Sequence, residues 1–563
     1  MVRSDHYLHK LIIMKVLYRE WVAVAIIIFT LISLAVLPLL YWVALSGSDT
    51  VFPLIHNFRL DYFYYLHLMK QGLDGNLLVI SRFTPENFTP RLGMTLFPIL
   101  GKLSVFLGSN LPLTYTLSRI VFGIVLLAVI YKFIRLVYPE SKVKRVVSFL
   151  FVSFSSTFWF VRNDGGKLLV ENAFGNWTSF DTLHRAIFLP HHLLSYISMV
   201  LVLIFLFGKK RSAPILQGNA LSQGIALREN FLIAFFTILS GLTNPGTFLG
   251  LGMIVFFSGF ILHANRSGFR LWASLRLLRG RTSFFAAFVL TVFYLNWLQN
   301  TNFPWTAVRD EERKWVFAVT FPDYLGGIGP LFFPAVAGIF FWVRQKISTI
   351  KVVTLIWFIV PFIGLFILPG LLPVSNQRLF EWGHYIPIAI LAAEGIFEVT
   401  RRIGGKKLLF SLLISLFLYS GISIYGTLVH DFGVFDPNVY NIYIPKDIFP
   451  AFAWLDRNTP ENSVVLSQGY MGNLIPAYAH NKVVVGHPTL TYKSAEKDQE
   501  VGKFFRQDNM IFSKNMIDKY NVSYIFFSLD TPPPNEEFLK TLGTKEVFAS
   551  EKLRIYEVES IQQ

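Results

Sequence analysis

The chain has 563 residues, 53% of them hydrophobic, 16% aromatic and 15% charged, with a formal net charge of +16 and a mean hydropathy of +0.49. A soluble domain carries about 25% charged residues, so this composition excludes a secreted globule, a disordered chain and a cytosolic enzyme, and long solid apolar runs exclude an outer-membrane barrel. The lack of any cysteine excludes disulfides, thiolate metal sites and a cysteine nucleophile, and the excess of Lys and Arg reads as a topology signal before it reads as nucleic-acid binding.

A bilayer core of roughly 30 Å takes about 20 apolar residues as helix. The first run, Trp21 to Leu45, follows Arg3, Lys10, Lys15 and Arg19. It is longer than the apolar core of a cleavable signal peptide, which predicts a retained span with the N-terminus in the cytoplasm. Residues 46–108 then form a long first loop, expected outside. Within it, residues 61–69 read as an amphipathic helix lying at the interface, where the tyrosines suit the headgroup depth. The apolar segment 92–108 must start and end outside, and reads as a re-entrant or surface-lying helix. Further runs fall near 112–135, 145–162, 186–208, 229–242, 246–264, 283–300, 328–345, 350–369, 384–400 and 408–428. Asn244-Pro245-Gly246 breaks the run 229–264 into a hairpin.

One threading of these runs puts Lys209, Lys210 and Arg211, and Arg401, Arg402, Lys406 and Lys407, in inner loops poor in acids. It puts Asp49, Asp61, Asp164, Glu171, Asp310 and Glu381 outside, and the tail with them. From about residue 437 the material changes. Strand-like runs at 463–467, 482–486, 522–528, 545–548 and 553–558 alternate with helical stretches at 447–457, 494–506, 512–520 and 535–542. The expected fold class is a polytopic α-helical membrane protein. About 11 transmembrane helices fill residues 1–436, and a soluble α/β domain lies outside the plasma membrane over 437–563.

Ionisable residues gather in three outer stretches. In the first loop, Asp49 follows the first span and Asp61 opens Asp61-Tyr62-Phe63-Tyr64-Tyr65. A carboxylate at the lipid–water boundary is partly desolvated, which suits a general base or a metal ligand; Asp61 equally suits a helix N-cap. The second stretch holds Arg162, Asp164, Glu171, Asp181, His184 and Arg185, and ends at Pro190-His191-His192. Adjacent histidines face different sides of a helix and do not chelate one ion simply. The third holds Arg378 and Glu381 at headgroup depth, where a guanidinium fork suits a phosphate or simply snorkels. Glu394, inside a span, calls for a packed polar partner. No Walker loop, dinucleotide fingerprint, GxSxG or zinc-protease helix is present.

One span, a long acidic outer loop with a flat helix, many further spans and an outer α/β tail together resemble the GT-C superfamily of integral-membrane glycosyltransferases. The first loop, Asp61 to Tyr65 with Gln71-Gly72 and Asp74-Gly75-Asn76, is similar to that of an uncharacterised prokaryotic branch. So is the tail, with Phe452–Asp456, Gly472 to Tyr478 and Gly486-His487. The resemblance implies sugar transfer from a polyprenyl-phosphate donor to a glycan, lipid or protein acceptor outside the membrane, with inversion. By position it implies that Asp49, with Asp61 as competitor, acts as the base or binds a divalent metal ion. Here Ser48-Asp49-Thr50 holds a single acid where several branches carry a pair. Arg378, helped by Arg162 or Arg185, would hold the donor phosphate, and Tyr65, Glu171, His191, His192 and Glu381 would contact substrate. Tyr470 and His487 are candidates for the inner face of the tail. The rival readings are a lipid or polysaccharide transporter or polymerase, which is indifferent to Asp49→Asn and Asp61→Asn, and a non-catalytic membrane assembly factor, whose tail binds a partner and whose first loop is only structural.

Overall fold

The computed structural model describes residues 2–56, 58–164, 167–172, 181–208, 220–267, 281–314, 320–367, 378, 383–433, 442–528 and 531–559. The side chains of 2–18, 160–172, 220–226 and 264–267 lie outside that description. The chain forms two compact units. Unit 1 comprises Met1–Pro38, Arg119–Phe293 and Trp315–Val434, and unit 2 comprises Leu39–Ser118, Tyr294–Lys314 and Phe435–Gln563.

The helices in chain order begin with α1 (Val2–Ala44), α2 (Arg59–Leu73), α3 (Leu96–Leu103), α4 (Leu111–Val137), α5 (Lys142–Phe154), α6 (Thr182–Ala186), α7 (Pro190–Phe207), α8 (Ala220–Thr243) and α9 (Pro245–Ser267). They continue with α10 (Thr282–Thr301), α11 (Trp305–Lys314), α12 (Phe321–Ile328), α13 (Phe332–Val343), α14 (Thr349–Phe366), α15 (Tyr385–Ile403) and α16 (Gly405–Gly433). Among the described residues, eight helical stretches are long and apolar enough to cross a membrane. Of the remaining three expected runs, 229–242 and 384–400 are helical, whereas 145–162 is helical only to Phe154 and enters a β-strand at Trp159. Of these, α5 has only 13 residues, about 20 Å at 1.5 Å per residue. Another, α15, carries Glu394, Glu398, Arg401 and Arg402. A stripe of exposed apolar side chains on α16 (Phe410, Ile414, Leu418, Ile422, Tyr425 and Val429) follows the helical period. A face of that kind is at home in lipid, not in water.

Unit 1 is held at buried points by ion pairs. Glu20 accepts from Arg145 Nε at 2.8 Å and Nη2 at 2.9 Å, and from the Tyr131 hydroxyl. Glu394 receives Lys144 Nζ at 2.9 Å, which supplies the polar partner its place in a helix demands. A β-hairpin not expected from the sequence joins β2 (Trp159–Asp164) to β3 (Lys167–Asn172).

Unit 2 builds the first loop and the tail into one core. The tail strands are β4 (Ile444–Pro445), β5 (Val464–Leu466), β6 (Lys482–Val483), β7 (Val522–Phe527), β8 (Thr544–Ala549) and β9 (Arg554–Val558). Five of them form a sheet in the order β6-β5-β7-β9-β8, parallel across β6-β5-β7 and antiparallel beyond. Helices α17 (Ile448–Asn458), α18 (Gly469–Tyr478), α19 (Ser494–Phe504), α20 (Met510–Tyr520) and α21 (Glu536–Thr541) separate them. The expected strands and helices are all present with their ends moved by a few residues, most of them shorter but β8 and α20 longer than expected, and α18 is additional. The sixth, β4, pairs antiparallel with β1 (Thr50–Val51) of the first loop. The sheet core includes Leu466, Val484, Phe504, Ile525 and Phe527.

One expectation is corrected here. Helix α2 has no free polar face of the kind an amphipathic helix presents: every residue from Tyr62 to Gly72 is buried, because α2 packs against both α3 and α18. Gly72 and Gly101 make this possible. A Cβ on Gly72 would collide with the Pro98 carbonyl, and one on Gly101 with the Met69 carbonyl.

Candidate functional site

In unit 2 the β1–β4 pairing sets the backbone around Asp49. The Asp49 carbonyl accepts from Lys446 N at 2.8 Å, and Lys446 Nζ donates to the Ser48 carbonyl at 2.8 Å. The Asp49 side chain is exposed. Among the described residues its carboxylate meets the Ser48 hydroxyl alone, at 2.8 Å.

Asp61 is not a helix cap. Phe58 occupies that position of α2 and makes no side-chain capping bond. Asp61 stands in the first turn, where the positive end of the helix favours an anion. Its side chain is 51% exposed, and Oδ1 lies 3.3 Å from Nε2 of the buried His487. Nδ1 of His487 accepts the Thr489 N–H at 3.2 Å. That assigns the ring proton to Nε2, so His487 donates to Asp61.

The surrounding loop is clamped by the tail. Buried Lys497 donates to both oxygens of Glu86 at 2.7 Å and to Thr84 Oγ1 at 2.9 Å. Burial pushes the Lys497 ammonium below its ordinary range, and Glu86 opposes that shift. Buried Lys482 donates to the Glu86 carbonyl at 3.1 Å and Asn87 Oδ1 at 2.6 Å. Arg82, almost wholly buried, bonds Asp74 at 3.0 Å and Glu461 at 3.1 Å. Burial, followed by the Arg82 charge, holds buried His67 well below its ordinary range, and its Nε2 accepts the Arg82 N–H at 3.1 Å. The Tyr470 ring lies under the Arg59 guanidinium, 4.5 Å away. Tyr65, expected to touch substrate, has a buried ring that stacks on Phe97 at 4.6 Å and on Tyr115 at 6.1 Å.

In unit 1, Arg378 is half-buried, and its stem runs beside Gly246 at the break between α8 and α9. Asn244 Oδ1 accepts Thr247 N at 3.0 Å and so caps α9. Buried His191 and His192 open α7, and both feel the Arg378 charge. Arg378, both histidines and the start of α9 therefore share one neighbourhood. Arg185 is also buried. Its Nη2 donates to the Val152 carbonyl at 2.8 Å and the Ser155 carbonyl at 2.7 Å, and its guanidinium lies 4.7 Å from the Tyr385 ring. Burial lowers its pKa to about 10. A cavity lined by Ser155, Ser156, Arg185, Ile328, Tyr385 and Ile388 adjoins it.

Asp181 caps α6 through Leu183 N and His184 N at 2.9 and 3.1 Å. His184 Nε2 meets Asp431 at 2.9 Å. Burial alone would lower the His184 pKa; the Asp431 and Asp181 carboxylates outweigh it and raise it to about 9. The side chains of Arg162 and Glu171, and the whole of Glu381, lie outside the described residues. Among the described residues no three His, Asp or Glu side chains gather as a metal site, so the divalent ion that the resemblance allows has no described donor set to hold it.

In fold the chain is similar to the crystal structure of the Archaeoglobus fulgidus oligosaccharyltransferase in the apo form, with TM-score 0.55 and 15% identity over 97% of this chain and 75% of that one. It is also similar to ArnT from Cupriavidus metallidurans bound to undecaprenyl phosphate, with TM-score 0.51 and 15% identity over 96% and 98% of the two chains. The chain has the GT-C fold. Arabinofuranosyltransferase AftD from Mycobacteria shares it at TM-score 0.51 and 12% identity, over 95% of this chain and 40% of that one. No family profile and no curated protein matches by sequence, so the likeness to GT-C enzymes is one of architecture.

Lys482, Lys497 and Arg82 went unsingled in the sequence, where each reads as an ordinary surface charge. A buried charge leaves no local signal until its partner is known.

Proposed function

We propose that the chain is a membrane glycosyltransferase that moves a sugar from a polyprenyl-phosphate donor to an acceptor hydroxyl outside the membrane. The observation that carries the reading is the GT-C fold, shared over about the whole chain with ArnT bound to undecaprenyl phosphate. The residues supply matching chemistry. Arg378 pairs with the donor phosphate beside the α9 terminus, where backbone N–H groups favour an anion. A first-loop carboxylate, Asp49 or Asp61, takes the acceptor proton. The acceptor oxygen forms a bond to the anomeric carbon from the side opposite the phosphate. The bond from that carbon to the phosphate oxygen breaks, its electron pair leaves with the phosphate, and configuration inverts. A general base contributes about 10²–10⁴ in rate, and the cation on the leaving phosphate contributes the larger electrostatic share. The tail helps to recognise the acceptor.

The test is transfer in proteoliposomes loaded with radiolabelled polyprenyl-phosphate sugar. Wild type transfers label to acceptor, Arg378→Gln loses most of that activity together with phosphate-dependent donor binding, and at least one of Asp49→Asn and Asp61→Asn loses turnover while still binding donor. Full transfer by both Asn variants, or movement of donor across the bilayer with no transfer, sinks the reading.

A further inference from the structure

Around His487 the tail spends an unusual amount of structure on one imidazole. Its ring is buried between Tyr64 and Phe83, with centroids 6.2 and 6.0 Å away. The turn that carries it is tied at both ends. Gly486 N donates to Thr491 Oγ1 at 3.1 Å, Thr491 Oγ1 donates to the Phe83 carbonyl at 2.8 Å, and Thr491 N returns to the His487 carbonyl at 2.9 Å. Ser81 Oγ closes the neighbouring carbonyl of Leu490 at 2.7 Å. Gly486 is required there, since a Cβ would press on the Gly472 carbonyl and the Phe83 ring. The product of this scaffolding is one N–H vector, from Nε2 to Asp61 Oδ1 at 3.3 Å. Nδ1 is already occupied by the Thr489 N–H, so neutral His487 has no lone pair left for a base. The ring can only donate and orient. The other oxygen of Asp61 has no partner among the described residues, on a side chain that is 51% exposed. Asp49 has no comparable support: a flexible neighbouring hydroxyl is its carboxylate's one described contact.

We infer that His487 is a positioning residue for Asp61, holding the free carboxylate oxygen toward the acceptor hydroxyl, so that Asp61 is the base and the tail completes the catalytic machinery. This rests on the glycosyltransferase reading. It is the Asp–His pairing with roles exchanged, a buried imidazole orienting a solvent-facing carboxylate. Fixing such a group removes the rotamer freedom it would otherwise have to lose in the transition state.

The experiment compares donor KM and kcat for full-length variants in proteoliposomes. Asp61→Asn lowers kcat by about 10²–10⁴. His487→Phe, which keeps the ring's packing and removes the donor, lowers kcat on the order of 10- to 100-fold and leaves the donor KM and the binding of undecaprenyl phosphate unchanged. His487→Gln, which restores an N–H donor, recovers most of the loss. Should His487→Phe not fold, Asp61→Glu displaces the carboxylate by one methylene and lowers kcat in the same way. Full kcat in His487→Phe, no recovery by His487→Gln, full kcat in Asp61→Glu, or loss of turnover in Asp49→Asn with none in Asp61→Asn overturns the inference while leaving glycosyl transfer intact. Full activity of both Asn variants instead brings down the reading beneath it.

Discussion

His184 shows how a single residue acquires a property its sequence neighbours do not announce. With its pKa raised from 6.5 to about 9, protonation favours the folded state. The sign follows: that stability is fully present below about pH 6.5 and is lost as pH rises through about 9. Thermal unfolding in detergent should therefore show a stability decline between those values that is missing from His184→Gln; identical profiles would refute the pairing with Asp431. Lys497 makes the complementary case. Removing its charge in Lys497→Met leaves Glu86, one-third exposed, without its cation, and should cost about 1–3 kcal/mol. Adding Glu86→Gln should restore part of that loss, since the pair matters more than either member. An additive double variant would show that the two do not act together.

Elements meet by backbone contact where side chains are absent. The α2–α3 crossing depends on Gly72 and Gly101, each of which faces a carbonyl of the other helix. Gly72→Ala forces the helices apart and should destabilise the fold by about 1–3 kcal/mol, read as a lower unfolding temperature and faster proteolysis of the first loop. Gly502→Ala is the control. Gly502 is exposed on α19 with nothing near the Cβ it would gain, so the helix gains propensity, up to about 1 kcal/mol. Equal effects of the two substitutions would mean that close approach does not decide the crossing. The same crossing explains why α2 is buried. Its tyrosines have the composition of an interfacial helix, but two packed neighbours cover them.

For the whole molecule, the tail and the first loop are one folding unit. Arg82–Glu461, Lys70–Asp456, Lys497–Glu86 and the β1–β4 pairing all cross from one segment to the other. Expressed alone, residues 437–563 should bind a hydrophobic dye and be cut within 486–492, a turn the full chain protects. A fragment as resistant as the full chain would show that the tail folds without the loop. Much of this fold was legible in the sequence: the membrane class from composition, the long spans from runs of apolar residues, and every strand of the tail sheet from short strand-like runs. Those signals are local, because hydrophobic periodicity and turn chemistry act over a few residues. The candidate residues Asp49, Asp61 and Arg378 were also visible as charges flanking apolar runs. What each of them touches was not. Asp61 and His487 stand 426 positions apart, and only packing could bring them together, bury the Tyr65 ring, set Lys482 and Lys497 of the tail against the loop and set Arg82 of the loop against the tail. Contacts between distant residues depend on which surfaces exclude water from one another, and that is settled by the tertiary structure alone.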